Sequence, residues 1–184
     1  MSKTIAVFGS SRCEEDSSHY AEAYELGQTL AASGFTVLSG GYGGSMAAVS
    51  RGAAEAGGGV IGVTCAIFDP RPGNRWLTEE IKAPTLLDRL RTMLDRSDGF
   101  VGLRGGIGTL SEITLVWSLV QTREMDGKPL VLMGRQWRSL VEAFMTHADM
   151  GRSIAALATV VESPAHVISA LNAPPTPLGP PPLG

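Results

Sequence analysis

A doubly wound α/β domain with a mainly parallel sheet flanked by helices is predicted by three observations. Apolar runs of strand length carry no polar alternation, so they read as strands covered on both faces. Stretches of helical length separate them. Glycine clusters stand where two of the runs pass into helical stretches, the place where such folds hold ligands.

The elements follow in order. Thr4–Phe8 (TIAVF) predicts a buried strand that Gly9-Ser10-Ser11 ends. From about Ser17 to Ser33 a helix is expected, since Tyr20, Ala23, Tyr24, Leu26 and Leu30 fall near one face; Gly34 stops it. Phe35–Leu38 predicts the second strand, running into SGGYGG. Ser45 to about Ala56 predicts a helix of small residues able to pack close to the sheet, and Gly59–Thr64 the third strand. Phe68–Trp76 reads as loop from its Pro and Gly content. A short extended piece near Glu80–Lys82 precedes a helix that Pro84 and Thr85 open, with Leu86, Leu87, Leu90, Met93 and Leu94 on one side. Asp98–Leu103 predicts the fourth strand, Gly105–Gly108 a loop, and Thr109 to about Arg123 a helix. Asp126-Gly127 turns the chain into a fifth strand at Pro129–Met133. A helix over about Gln136–His147, a short strand Thr159–Val161 and a helix Pro164–Leu171 complete a single domain at 1–172. Residues 173–184 hold six prolines in twelve positions and no apolar period, which predicts a mobile tail.

Composition narrows the function. The chain has 184 residues, 43% of them apolar, enough for one domain with a substantial core and too apolar for disorder. Fifteen Lys and Arg against 18 Asp and Glu give a net charge of −3 with no basic run, which argues against nucleic acid as the main partner. No stretch approaches the roughly 18 apolar residues of a membrane span, and the N-terminus enters a strand pattern without a signal-peptide core. A cytoplasmic location and no membrane partner are the expectation. Cys13 and Cys65 lie far apart without a CxxC, which fits a reducing compartment. His19, His147 and His166 have no metal-ligand spacing, so neither metal nor cofactor is expected. Trp117 and Trp137 fall in amphipathic helices and read as core or interface.

Two constellations carry chemistry. In FVGLRGGIGTLSE a strand passes through Gly105, Gly106 and Gly108 into a helix, where small residues let an anion approach the backbone and free N–H groups receive it. Thr109 adds a hydroxyl. Thr109-x-x-Glu112 equally matches a capping box, in which Glu112 reaches back to the Thr109 N–H; spacing alone leaves both readings open. The second is Ser39-Gly40-Gly41-Tyr42-Gly43-Gly44-Ser45-Met46, again strand to helix, which alone reads as a tight turn. Neither is G-x-G-x-x-G, no acid ends the second strand, and neither ends in Gly-Lys-Ser/Thr. Dinucleotide oxidoreduction and NTP hydrolysis are therefore disfavoured. Two glycine loops on one sheet edge suit a single phosphorylated ligand. Ser10, Ser11 and Arg12 end the first strand at that edge, as ligand contacts or as turn residues.

SDGFVGLRGGIGTLSEI resembles the PGGxGTxxE motif of the LOG family, the cytokinin riboside 5′-monophosphate phosphoribohydrolases. VFGSSR, SGGYGGSMAAVSRGAAEAGGGVIGV and KPLVLMG extend the resemblance over most of the chain. It implies a Rossmann-like fold, usually a homodimer, a small-molecule nucleoside monophosphate as partner, and a place in cytokinin biosynthesis. The implied reaction is hydrolysis of the N-glycosidic bond to free base and ribose 5-phosphate. The family's catalytic Glu falls on Glu112 and its catalytic Arg on Arg89. The phosphate loop falls on Gly105, Gly106, Gly108 and Thr109, and the GGGxxGLMG-like element on Gly40, Gly41, Gly44 and Met46. Arg104 stands where the family has Pro, Leu90 where it often has Lys, and Ser39 and Ala47 where it often has Gly. Arg104 is a candidate phosphate contact. The label "possible lysine decarboxylase" carried by many members does not suit this chain: Lys3 opens a strand, Lys128 precedes Pro129, and Lys82 is the only other lysine. Relatives of this fold also bind nucleotides or the molybdenum cofactor without hydrolysis, so a carrier or sensor is the alternative to an enzyme.

Overall fold

The computed structural model describes residues 2–174. The chain runs through β1 (Thr4–Phe8), α1 (Ser18–Ala32), β2 (Thr36–Ser39), α2 (Ser45–Glu55), β3 (Val60–Cys65), β4 (Glu79–Ala83), α3 (Leu86–Asp95) and β5 (Gly99–Gly102). It continues through α4 (Ile107–Gln121), β6 (Leu130–Met133), α5 (Arg135–His147), α6 (Arg152–Ala155), β7 (Ala158–Val161) and α7 (Pro164–Leu171). The strands form one sheet in the order β4-β3-β2-β1-β5-β6-β7, and every pairing is parallel.

The strands are apolar because both faces are covered. In β1, Ile5 and Val7 enter a core shared with α1, α2 and α7, while Ala6 and Phe8 enter one shared with α3 and α4. The α1 start is capped by Ser17, whose hydroxyl accepts from the Tyr20 N–H at 3.2 Å. Thr85 caps α3 in the same way at Asp88 N. The small residues of α2 serve chiefly its crossing with α1. A Cβ on Gly52 would meet the Tyr24 carbonyl, and one on Gly27 the Val49 carbonyl, so the two backbones touch where both side chains are missing.

Three elements differ from expectation. The extended piece at 80–82 is a full edge strand, paired with β3 from Ile61↔Glu79 to Cys65↔Ala83. Its polar, mostly exposed face hid it from an apolar-run criterion. The four-residue α6 is too short to show a period. And α4 starts at Ile107, two residues before the predicted Thr109, with Gly106 as its N-cap and no side chain bonded to the cap. Residues 175–184, most of the proline-rich tail, lie outside the described residues. Among the described residues no helix is long and apolar enough to cross a membrane.

The chain leaves β1 outward through β2, β3 and β4, then returns to add β5 on the other side of β1. The β1 and β5 carboxyl ends therefore diverge into helices on opposite faces, and a crevice opens between them.

Candidate active site

Three loops meet at that crevice: 9–17 after β1, 40–44 after β2 and 103–106 after β5. Their contact is tight. The Ser10 carbonyl accepts from the Ser45 N–H at 2.8 Å and the Ser45 hydroxyl at 3.0 Å. A Cβ on Gly9 would press on Ser45 and approach Leu103. Ser10 Oγ accepts from the Arg12 N–H at 3.1 Å, so the Ser10 side chain and carbonyl are both engaged in the turn, while Ser11 is exposed.

The 40–44 loop is shaped by what packs on it. A Cβ on Gly40 would occupy the space of the Arg89 guanidinium and crowd the Met46 sulfur. Gly41 lies against Gly62 and Thr64 of β3. Gly44 has φ +66°, and a Cβ there would strike the Ser10 carbonyl and Ser11 backbone. A second layer holds this loop from outside. Asn74 donates its N–H to the Gly41 carbonyl at 2.7 Å and its amide to the Tyr42 carbonyl at 3.1 Å. The buried Tyr42 hydroxyl accepts from Cys65 N at 2.8 Å and donates to Cys65 O at 3.2 Å. Sequence reading missed Asn74; its one signal was a Gly-Asn pair inside a stretch read as loop.

The 103–106 loop and first turn of α4 are different. A Cβ on Gly105 would collide with the Thr109 side chain, so that glycine admits Thr109. Gly106 and Gly108 have nothing within 4 Å of a would-be Cβ, and neither has positive φ. No packing or backbone requirement in the described residues explains glycine at these two positions. No side chain caps the first N–H groups of α4 at that same end of the helix.

Arg89 and Glu112, 23 positions apart, come together beneath these loops. Arg89 Nη1 lies 3.3 Å from Glu112 Oε1, and Arg89 Nε donates to the Val63 carbonyl at 2.7 Å. The guanidinium is thus fixed by β3, by α4 and by the vacancy at Gly40. Their side chains are only 11% and 16% exposed. Burial lifts the Glu112 carboxyl from its usual range near 4.5 to about 6, and the charge and hydrogen bond of Arg89 pull only partly against that. The capping-box alternative is excluded by geometry: Thr109 lies inside α4, not at its cap, and the Glu112 carboxylate turns to Arg89. Along α4, Val116, Trp117 and Val120 are buried in the domain, while Leu115 is exposed. Among the described residues no group of three His, Cys, Asp or Glu could hold a metal.

Comparison with known proteins fits this arrangement. The family model described as SLOG cluster4 matches residues 2–163. A cytokinin riboside 5′-monophosphate phosphoribohydrolase of Mycobacterium tuberculosis is 34% identical over 136 residues, 71% of this chain and 70% of that protein. Among solved structures, the molybdenum cofactor carrier protein of Chlamydomonas reinhardtii superimposes with a TM-score of 0.73 at 28% identity, covering 92% of this chain and 96% of that one. The molybdenum cofactor binding protein of Rippkaea orientalis shares the fold at a TM-score of 0.72 and 23% identity, with 92% and 94% covered. Glycine loops, sheet order and the extent of these matches together make the chain a member of the SLOG cluster4 family and of the LOG family of its relatives.

Proposed function

We propose that the chain hydrolyses the N-glycosidic bond of a nucleoside 5′-monophosphate, a cytokinin riboside 5′-monophosphate or AMP, releasing free base and ribose 5-phosphate. The observation that carries this reading is the buried Arg89–Glu112 pair beneath an open helix N-terminus. An anion site needs no buried carboxylate; a reaction that builds positive charge does.

Breaking the bond to the base draws the ribose toward an oxocarbenium ion. In this reading the 5′-phosphate sits over Gly106 and Gly108, received by the first N–H groups of α4 and by Thr109. Anchoring the phosphate directs binding energy from a remote group into orienting the sugar. The ionised Glu112 stabilises the developing charge and orients or deprotonates the attacking water. Arg89 holds that carboxylate in place through Glu112 Oε1. Gly40, Gly41, Gly44 and Met46 form the wall behind Arg89, and Ser10 and Ser11 close the β1 side. The M. tuberculosis relative's named activity supports the same chemistry.

A homodimer belongs to this reading. Leu86, Leu87 and Leu115 are exposed on α3 and α4, the helices that carry Arg89 and Glu112. Sedimentation of the purified chain at about twice its 19.3 kDa mass is the expected result, and a monomer at all concentrations overturns it.

The second reading is a carrier. The similarity to the Chlamydomonas molybdenum cofactor carrier protein favours it. Chromatography of free base after incubation with a panel of nucleoside 5′-monophosphates separates the two. Base release that Glu112→Gln abolishes supports the hydrolase; tight binding without release by either protein leaves the carrier.

A further inference from the structure

Two serines are fully buried behind the 40–44 loop: Ser39, the last residue of β2, and Ser50, within α2. A hydroxyl taken out of water destabilises the fold unless it finds partners. These two have them in a connected network. The hydroxyls lie 3.4 Å apart, Ser39 Oγ accepts from the Gly41 N–H at 3.2 Å, and Ser50 Oγ accepts from the Asn74 amide at 3.4 Å. A glycine at 39, which the LOG family often has, would offer the Gly41 N–H no such acceptor.

Asn74 completes the network from the connection between β3 and β4. Its backbone N–H reaches the Gly41 carbonyl at 2.7 Å, its amide donates to the Tyr42 carbonyl at 3.1 Å, and its Oδ1 accepts from the Trp76 N–H at 3.1 Å. These neighbours fix the amide's orientation, because a carbonyl only accepts and a backbone N–H only donates. Gly41 is thus held at both polar atoms, its N–H by Ser39 and its carbonyl by Asn74.

What that grip controls is the residue before it. Gly40 leaves the room that the Arg89 guanidinium fills, and Gly40 shares a rigid peptide plane with Gly41. A shift at Gly41 therefore moves the wall against which Arg89 rests. The other supports of Arg89 are the Val63 carbonyl and Glu112. We propose that Asn74 is a positioning residue for the Arg89–Glu112 pair: with Ser39 and Ser50 it clamps the peptide at Gly41 and so sets the seat of the guanidinium, without touching the ligand. Its part in turnover rests on the hydrolase reading, whereas the seat itself does not.

The test reads the seat first and the reaction second, on the full chain. Water exchange of the Arg89 Nε–H is followed by NMR, the resonance being identified by its loss in Arg89→Lys. The variants are Asn74→Ala and Asn74→Asp, the latter keeping the size and the acceptor for Trp76 but setting a carboxylate against the Tyr42 carbonyl. Ser163→Ala, which removes the α7 cap, is the control, and thermal melts confirm that each protein is folded. Exchange at Arg89 should be at least about tenfold faster in both Asn74 variants and unchanged in Ser163→Ala. Unchanged exchange in folded Asn74 variants overturns the proposal, and so does equal acceleration in Ser163→Ala, which reports only lost stability. For base release from a nucleoside 5′-monophosphate, kcat should fall about tenfold in both Asn74 variants with KM within about twofold. The acid limb of kcat/KM should move to higher pH, since a looser Arg89 pulls less on the Glu112 carboxyl. A raised KM with kcat retained places Asn74 in ligand binding and overturns the positioning role, as does full activity in variants whose exchange is accelerated. No base release by wild type removes the hydrolase instead, and the exchange rates then decide the seat on their own.

Discussion

The two glycine loops look alike as sequence and differ in cause. Along 40–44, Gly40, Gly41 and Gly44 are each explained by a neighbour: the Arg89 guanidinium, the β3 backbone, the β1 loop. Along 105–108, only Gly105 is, and Gly106 and Gly108 look onto open space. One loop is a seat that fixes a side chain; the other is a clearing that leaves room for something the chain does not contain. A glycine cluster at a strand-to-helix junction is therefore two different signals, separable only by asking what a methyl group would touch.

The comparison can be broken most sharply at the group both loops serve. Glu112→Gln keeps the shape and an acceptor for Arg89 but removes the charge, so kcat/KM for base release should fall by about 10² or more. The melting temperature should stay within a few degrees. Retained activity in that variant removes Glu112 from the chemistry.

Gly44→Ala tests the seat as structure. The positive φ and the collision with the Ser10 carbonyl should cost about 2 kcal/mol or more, read as a lower midpoint in urea unfolding. Gly40→Ala tests the seat as a positioning device: kcat should drop with little change in KM, because Arg89 is displaced while the α4 loop is untouched. An equal rise in KM would place Gly40 in ligand binding instead.

The pH dependence follows from burial. The ionised carboxylate is the working form, so kcat/KM should rise about tenfold per pH unit below about 6 and level off above it, and Glu112→Gln should lack that limb. Stability runs the other way. Because the folded state raises this carboxyl above its unfolded value, Glu112 contributes stability that is full below about 4.5 and lost as pH rises through about 6. The change is on the order of 2 kcal/mol, read as the difference between wild type and Glu112→Gln in unfolding free energy across that window. A flat difference sinks the assignment.

The smallest effect is the most telling about the clearing. Gly108→Ala meets nothing and lies inside α4, so stability should hold or rise by up to about 1 kcal/mol. Nucleotide affinity should weaken if an anion lies against that backbone. A variant both more stable and equally tight for nucleotide would show that the open space is not the ligand's.

Much of this was legible beforehand. Buried strands and amphipathic helices announce themselves through local periodicity, so β1, α1, β5 and α7 stand where the residues predict. The edge strand β4 showed only as a short extended piece near Glu80–Lys82, because it is polar, and α6 did not show at all, because a single turn repeats no pattern. The α4 start was misplaced because glycine lacks a capping side chain to mark it; with Gly106 as cap, Thr109 lies in the first turn and the capping box dissolves.

By itself, the sequence determined the α/β class, the junctions where ligands collect and the family to which the motifs belong, since each is written in residues that are neighbours along the chain. Only the tertiary structure decided that Gly40 makes room for Arg89, that Arg89 reaches Glu112 across 23 positions, and that Arg104 finds His19 across 85. Those contacts join loops from separate strands, and their register is set by how the parallel sheet stacks β1 between β2 and β5. No local pattern records that spacing, because it is a property of the packed sheet.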